Sequence, residues 1–300
     1  MQEVIKELKA HIKDVRENEP MSRHTTWKIG GPADVFIVAD TKEELVHALR
    51  TLSEHQIPWT QLGRGSNTLV SDRGIRGAVL KLGKGFEQIR FEDCIVIAGG
   101  AYSFIKLSVM AGKQGLTGLE FSGGIPGTVG GAVYMNAGAH GSDVSRILQS
   151  AEVLLETGEF VNYDAEELDF SYRHSRLQQT RGIVTEAVFR LKHGDRKEIA
   201  ATLASYKDRR LRTQPLQLAC AGSVFRNPEG HHAAKLVEEA GLKGLRCGGA
   251  EISTLHSNFI VNTGNATAED VLTLIERIRA IVKQKYGIEL ETEVLLMGER

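Results

Sequence analysis

The sequence predicts an α+β protein in two parts, an α/β region over the first two-thirds of the chain and a smaller α+β module after it. Three observations carry this. A buried strand is followed by a capped helix near the start. Short apolar strands are then broken by two glycine-rich stretches. The last third alternates helix and strand after a helix start at Asp195.

The elements follow in order. MQEVIKELKAHIKD places Val4, Ile5, Leu8 and Ile12 on one face of a helix, with charges interleaved. ADVFIVA (33–39) reads as a buried strand, and Thr41 with Glu44 forms a capping box for a helix over Leu45, Leu49 and Leu52. WTQLGRGSNTLVS gives a strand, a glycine turn and a second strand; GAVLKLG, FEQIRFE and CIVIAGG follow as further short strands. A helix from Tyr102 to Gln114 precedes the second glycine stretch, and AEVLLE, FVNY and GIVTEAVFRLK are strands beyond it. Asp195 and Glu198 start a helix to about Leu211, so a boundary is expected near residues 193–195. After it come a strand at SVFRN, a helix from His231 to Ala240, a strand near NFIVN, a helix over Ala268–Lys285 capped by Thr267, and a last strand at LETEVLL.

Lys plus Arg (37) nearly cancels Asp plus Glu (38), so no global field holds the protein to a polyanion or an anionic membrane. Nucleic acid and membrane are therefore not expected partners, and nothing points to an obligate protein partner. The charged N-terminus does not read as a signal peptide, and no apolar run reaches spanning length, so a cytosolic protein is expected. Cys94, Cys220 and Cys247 are odd in number, widely spaced and in no CxxC pair, which argues against disulfides and a zinc site; buried free thiols are expected. His231-His232 reads as part of a surface helix, and no metal is expected.

Glycine is the unusual residue: 32 in all, concentrated between Gly63 and Gly141. In GRGSN (63–67), the backbone amides of Gly63, Gly65 and their neighbours can form an anion nest, with Arg64, Ser66 and Asn67 adding donors. A tight hairpin explains the same residues. The second stretch, FSGGIPGTVGGAVYMNAGAHG (121–141), reads as a ligand loop rather than a core element, because so many glycines weaken any regular structure. Gly123, Gly124, Gly127, Gly130 and Gly131 allow close backbone approach, Pro126 stiffens the path and Asn136 offers an amide. Neither stretch is a Rossmann or P-loop fingerprint. Together they suit a dinucleotide held by loop amides.

These loops resemble the FAD-binding domain of vanillyl-alcohol oxidase-like flavoproteins. In order, HTTWKIGGPAD, GRGSN, SGGIPGTVGGAVYMNAGAHG, SYRHS, AGSVFRNP and LETEV resemble the motif set of the UDP-N-acetylenolpyruvoylglucosamine reductase (MurB) family, over His24 to Val294. The chain is similar to that family's shorter class, since it has no room for the extra C-terminal loop. The resemblance implies an N-terminal helix (1–20), an FAD-binding domain (21–194) of two α/β halves split near residue 82, and a substrate-binding domain (195–300). It also implies non-covalent FAD held by residues 63–67 and by Ser122, Gly123, Gly124, Ile125, Pro126, Gly127, Gly130, Gly131, Asn136 and Gly138. GRGSN has no His or Cys for covalent attachment, and His140 is read as non-covalent.

The implied reaction is NADPH-dependent reduction of UDP-N-acetylglucosamine enolpyruvate to UDP-N-acetylmuramate in peptidoglycan precursor synthesis, with NADPH and the UDP-sugar taking turns at one site. An enol ether accepts hydride only if its carboxylate is polarised. By resemblance, Arg173 supplies that cation, Glu293 the neighbouring acid, and Ser223 the proton donor. Asn227 matches the substrate motif, and Tyr172, Arg210, Gln214, Lys243 and His256 are further substrate candidates; with Gln214 where the longer class has lysine, Arg210 is the alternative source of charge. Two rival readings stand beside this one. A flavin oxidase of the same fold would share the glycine loops but not AGSVFRNP or LETEV, and a flavin-free nucleotide-sugar binder would cradle only the diphosphate.

Overall fold

The computed structural model describes residues 1–299. In chain order, α1 (Gln2–His11) leads into β1 (Asp14–Pro20), β2 (Pro32–Ala39), α2 (Lys42–Glu54), β3 (Trp59–Gln61), β4 (Thr68–Val70), β5 (Ile75–Leu82), β6 (Ile89–Glu92) and β7 (Ile95–Gly99). Next come α3 (Phe104–Lys113), β8 (Leu116–Thr117), α4 (Val129–Tyr134), β9 (Gly138–Ala139), β10 (Ser142–Asp143), β11 (Leu148–Leu155) and β12 (Phe160–Asp164). The rest of the chain forms α5 (Leu177–Thr180), β13 (Gly182–Arg190), β14 (Lys192–His193), α6 (Arg196–Thr213), α7 (Ala233–Glu239), β15 (Arg246–Cys247), β16 (Ala250–Ile252), β17 (Ile260–Asn262), α8 (Ala268–Tyr286) and β18 (Leu295–Met297).

Helix starts follow local chemistry. At α2 the Thr41 hydroxyl accepts from Glu44 N (3.2 Å), while the Glu44 carboxylate accepts from Asp40 N (2.6 Å), one residue before the cap. At α8 the box is complete: Thr267 Oγ1 accepts from Asp270 N and Asp270 Oδ2 accepts from Thr267 N. Asp72 adds its carboxylate to the same end, accepting from Ala268 N and Glu269 N at 2.8 and 3.0 Å. Each such cap is worth about 1 kcal/mol. Gly287, at φ 72°, ends α8 in the left-handed conformation that glycine tolerates best. Asp195 starts α6 as predicted, accepting from Lys197 N and Glu198 N.

Three expectations are corrected. SVFRN is not a strand; only Phe225 pairs, opposite Thr292, and its own N–H and C=O are held by the Asn258 side chain at 2.9 Å each. The second glycine stretch is not all loop. It contains α4, which Thr128 caps by accepting from Gly131 N, and at which Gly130 presses on β13: a Cβ there would lie 3.1 Å from Gly100 O and 3.2 Å from Val184 O. The three cysteines are free but half-buried.

The sheets run β1–β2–β5–β3, β12–β11–β13–β7–β6 (antiparallel), β15–β16–β17 (antiparallel), and three two-stranded pairs, β9–β10, β8–β14 and a parallel β4–β18. The chain divides into two compact units. Unit one comprises Met1–Arg16, Val35–Gly63 and Gly77–Arg209; unit two comprises Glu17–Asp34, Arg64–Arg76 and Arg210–Arg300. This partition is interleaved in sequence.

Unit one has two cores. One gathers Leu8, Val35, Ile37, Leu45, Leu49 and Leu80; the other packs Phe104, Phe121, Val129, Val184 and Phe189. Unit two has one core, and an N-terminal residue sits in it. Trp27 is fully buried among Phe225, Ile260, Val271 and Leu274, donates through Nε1 to Ile260 O (2.8 Å), and has its own carbonyl held by Asn262 Nδ2 (3.0 Å).

Candidate active site

In unit one the glycine stretch 121–141 and the SYRHS turn form one network. Ser171 and His174 exchange backbone hydrogen bonds (3.1 and 3.2 Å), which makes Tyr172 and Arg173 the two tip residues of a tight hairpin. Arg173 takes φ 57°, a costly conformation for a side-chain-bearing residue. Its guanidinium donates to Gly138 O (2.7 Å) and lies over the Tyr172 ring, while Gln178 Nε2 holds its carbonyl. Asn136 is 2% exposed and fastens the turn from beneath, donating to Ser171 O (2.9 Å) and accepting from Ser145 N (3.0 Å). Its side-chain amide thus positions the hairpin.

The same stretch shows what each glycine is for. Gly123 lies against Leu203 and Gly130 against β13, so both serve packing. Ser122 is buried, with its hydroxyl donating to Leu119 O (2.9 Å) and its amide to the same carbonyl (3.0 Å). The amides of Val129 and Gly130 go to Tyr102 O and Gly100 O, and that of Gly131 goes to the Thr128 hydroxyl. At Gly63, an added Cβ would stand 3.0 Å from Thr128 Oγ1, and at Gly131 it would meet nothing nearer than 3.5 Å. Gly63 and Thr128 thus bring the start of the first glycine loop to the cap of α4, across a space that a larger residue would fill. No Lys or Arg occurs in 121–141. A cradle of main chain and hydroxyl groups can take a dinucleotide such as FAD, with backbone amides rather than basic side chains facing its pyrophosphate. His140 stacks on Tyr206 with ring centroids 3.7 Å apart and planes 2° from parallel, so its ring is engaged by protein.

In unit two the rest of GRGSN is built into the protein. Gly65 (φ 61°) touches the HTTW segment: a Cβ there would lie 2.3 Å from His24 O and 2.8 Å from Thr25 Cα. Thr26 N donates to Gly65 O (3.1 Å), and the Thr26 hydroxyl donates to Cys220 O (2.7 Å). Asn67 ties the loop to LETEV, donating through Nδ2 to Glu293 O (3.1 Å) and accepting from Leu295 N at its carbonyl (2.9 Å).

AGSVFRNP and LETEV lie side by side. Glu293 N donates to Val224 O (2.7 Å), next to Ser223, and Arg226 N to Glu291 O (2.9 Å). Asn258, 4% exposed, organises this segment, since its main-chain carbonyl accepts from Val224 N and its side chain takes both backbone groups of Phe225. Asn227 accepts from Ala233 N at Oδ1 (3.0 Å) and so fixes the start of α7.

Arg210 and Gln214 meet directly, Nε donating to Oε1 at 2.8 Å, so Gln214 orients the charge that Arg210 carries. Burial lowers the Arg210 pKa and raises that of the neighbouring Cys220 thiol, which Arg210 partly offsets. Lys243 pairs with Glu238 (2.7 Å) and also acts on His256. Burial first and Lys243 second lower the His256 pKa, while Phe259 packs edge-on against its ring. Two pairs of sequence-predicted substrate residues are therefore brought together. Sequence reasoning missed Asn258, Thr26 and Thr128; only the Thr128 cap, ahead of VGGAVY, had a local signal.

Two domain families match in chain order: an FAD binding domain over residues 33–164, and the C-terminal domain of UDP-N-acetylenolpyruvoylglucosamine reductase over 214–297. The UDP-N-acetylenolpyruvoylglucosamine reductase of Bacillus pumilus is 52% identical over 293 residues, 97% of either chain. The chain belongs to the UDP-N-acetylenolpyruvoylglucosamine reductase family. The reductase of Bacillus licheniformis is 51% identical over 302 residues, covering all of both chains. The crystal structure of the UDP-N-acetylenolpyruvylglucosamine reductase from Thermus caldophilus superposes with a TM-score of 0.83 at 38% identity, over 95% of this chain and 100% of that one. The α+β class and the FAD-binding architecture are those expected, and as a member of this reductase family the chain is a flavin-dependent oxidoreductase whose cofactor is FAD. Among the described residues no helix is long and apolar enough to cross a membrane.

Proposed function

We propose that this chain reduces UDP-N-acetylglucosamine enolpyruvate to UDP-N-acetylmuramate with NADPH, in the cytosol, as a step of peptidoglycan precursor synthesis. The observation that carries this reading is that Ser223 and Glu293 both fall within the match to the reductase's own C-terminal domain, which a flavin oxidase would lack. Bound FAD supplies the two-electron relay from NADPH to the enol ether.

The residues divide the rest of the work. Residues 63–67 and the segment ahead of α4 hold the cofactor; Asn136, Ser122, Gly123 and Gly130 shape that segment from the protein side. Arg173, held in place by Gly138 O, binds the substrate carboxylate and stabilises the charge that develops as the terminal carbon is reduced. Glu293 sits by the same carboxylate, and Ser223 delivers the proton to the carbon that bears it, refilled from water or Glu293. Arg210 with Gln214, Asn227, Tyr172, and Lys243 with His256 bind the UDP-sugar. On this reading residues 21–194 form the FAD-binding domain and 195–300 the substrate-binding domain, and NADPH and the UDP-sugar bind in turn at one place.

The test is spectroscopic. Under anaerobic conditions NADPH should bleach the flavin band near ~450 nm, and one equivalent of the enolpyruvyl UDP-sugar should restore it while the lactyl ether forms. A colourless protein, or a flavin bleached by lactate-like alcohols and not by NADPH, would remove the proposal.

A further inference from the structure

We propose that Asp93, Cys94 and His193 form a binding site for a thiophilic divalent cation, zinc foremost. Their ligand atoms all lie within 4.8 Å of one another, and His193 Nε2 is 2.9 Å from Asp93 Oδ1. His193 is a hundred positions from Asp93, and the fold brings it to the Asp93-Cys94 pair by continuing a ladder. Arg190 pairs with Ile95, Leu191 N then donates to Cys94 O (2.8 Å), and two residues on is His193, itself paired to Leu116 of β8. Asp93 takes φ 53° in the tight turn between β6 and β7, which sets its carboxylate beside the ring. All three ligands therefore stand on strands or on a two-residue turn between strands.

The donor set selects the metal. Thiolate and imidazole are soft and borderline ligands that favour zinc over magnesium or calcium, which take oxygen. Zn–ligand bonds of about 2.0–2.3 Å in a tetrahedron put donor atoms roughly 3.3–3.7 Å apart, so the cluster needs side-chain shifts of about an ångström. Asp93 and His193 have side chains 80% and 69% exposed, which gives them that freedom and leaves water for the fourth position. Cys94 is half-buried at the edge of the core. Bound metal would pin the β6–β7 turn to β14, as a brace rather than a catalyst. The spacing in sequence gave no hint of this, because neither Cys94 nor His193 has a second ligand at a motif distance.

The experiment uses the FAD-loaded enzyme, stripped of metal by chelator and then titrated with zinc, and reads alkylation of each cysteine by iodoacetamide through peptide mass spectrometry. Zinc should slow alkylation of Cys94 at least tenfold while leaving Cys220 and Cys247 unchanged, and His193→Gln should abolish the protection. Cobalt in place of zinc should add tetrahedral d–d bands to the red of the flavin absorption, lost in Cys94→Ser. Unprotected Cys94, protection that survives His193→Gln, or equal protection of all three cysteines would overturn the site.

Discussion

The two turns proposed to carry the chemistry are both held at their main chain by side-chain amides, but they differ in exposure. The Arg173 hairpin presents its tip to solvent, with Tyr172 51% exposed, and is fixed by side chains reaching it from below: Asn136 to Ser171, Gln178 to Arg173, and Arg173 itself to Gly138. In the second segment Ser223 is half-buried and is followed by the buried Val224 and Phe225, whose main chain is bound by Asn258 and by Glu293 N. A group that must reach out to an anion can stand at such a turn, because Gly138 O and the Tyr172 ring hold its charge until substrate arrives. A weakly acidic hydroxyl needs a rigid frame that holds it in line with the carbon it protonates. Damage to the first should spare the fold, and damage to the second should not.

The largest effect should come from the exposed turn. Arg173→Ala is expected to lower kcat by about 10²–10³-fold, the cost of removing one charge-stabilising donor, with melting temperature and FAD content nearly unchanged; steady-state kinetics and thermal scans check both at once. Next, Asn258→Ala leaves the buried N–H and C=O of Phe225 without partners and should destabilise the protein by about 2–4 kcal/mol, visible as a shifted denaturant midpoint together with lost turnover. Equal stability would show that the buried frame is not what it looks like.

The glycines sharpen the contrast further. Gly65→Ala sets a Cβ against His24 O in a positive-φ residue and should cost about 1–3 kcal/mol, whereas Gly131→Ala, in a helix with room beside it, should be neutral or gain up to about 1 kcal/mol; urea unfolding of the pair distinguishes a structural glycine from a permissive one. The smallest effect is a pH dependence. Because burial lowers the folded-state pKa of His256, the unfolded chain binds the proton more readily, so stability is full above the ordinary histidine value and falls as pH drops through it. His256→Gln should flatten the melting temperature of the protein between about pH 7 and 5.

What the sequence made legible was local. The caps of α2, α6 and α8 could be read because a hydroxyl or carboxylate and the amides it serves lie within three residues. Glycine density singled out segments but not the use of each residue. Gly130 and Gly65 answer to backbones at Val184 and His24 that no spacing rule connects to them, and α4 forms inside a stretch whose propensity argued for loop. Asn136, read as a ligand contact, also holds Ser171, thirty-five residues on, which no local pattern announces. The burial of Trp27 beside Ile260, and the meeting of Cys94 with His193, are products of tertiary pairing alone.

The most direct measurement is rapid mixing of the two half-reactions in Ser223→Ala. Flavin reduction by NADPH should proceed at the unaltered rate, while reoxidation by the enolpyruvyl UDP-sugar slows by about 10²-fold or more, the share of a positioned proton donor. Equal slowing of both half-reactions, or of neither, would contradict the role given to the AGSVFRNP segment and with it the proposed chemistry.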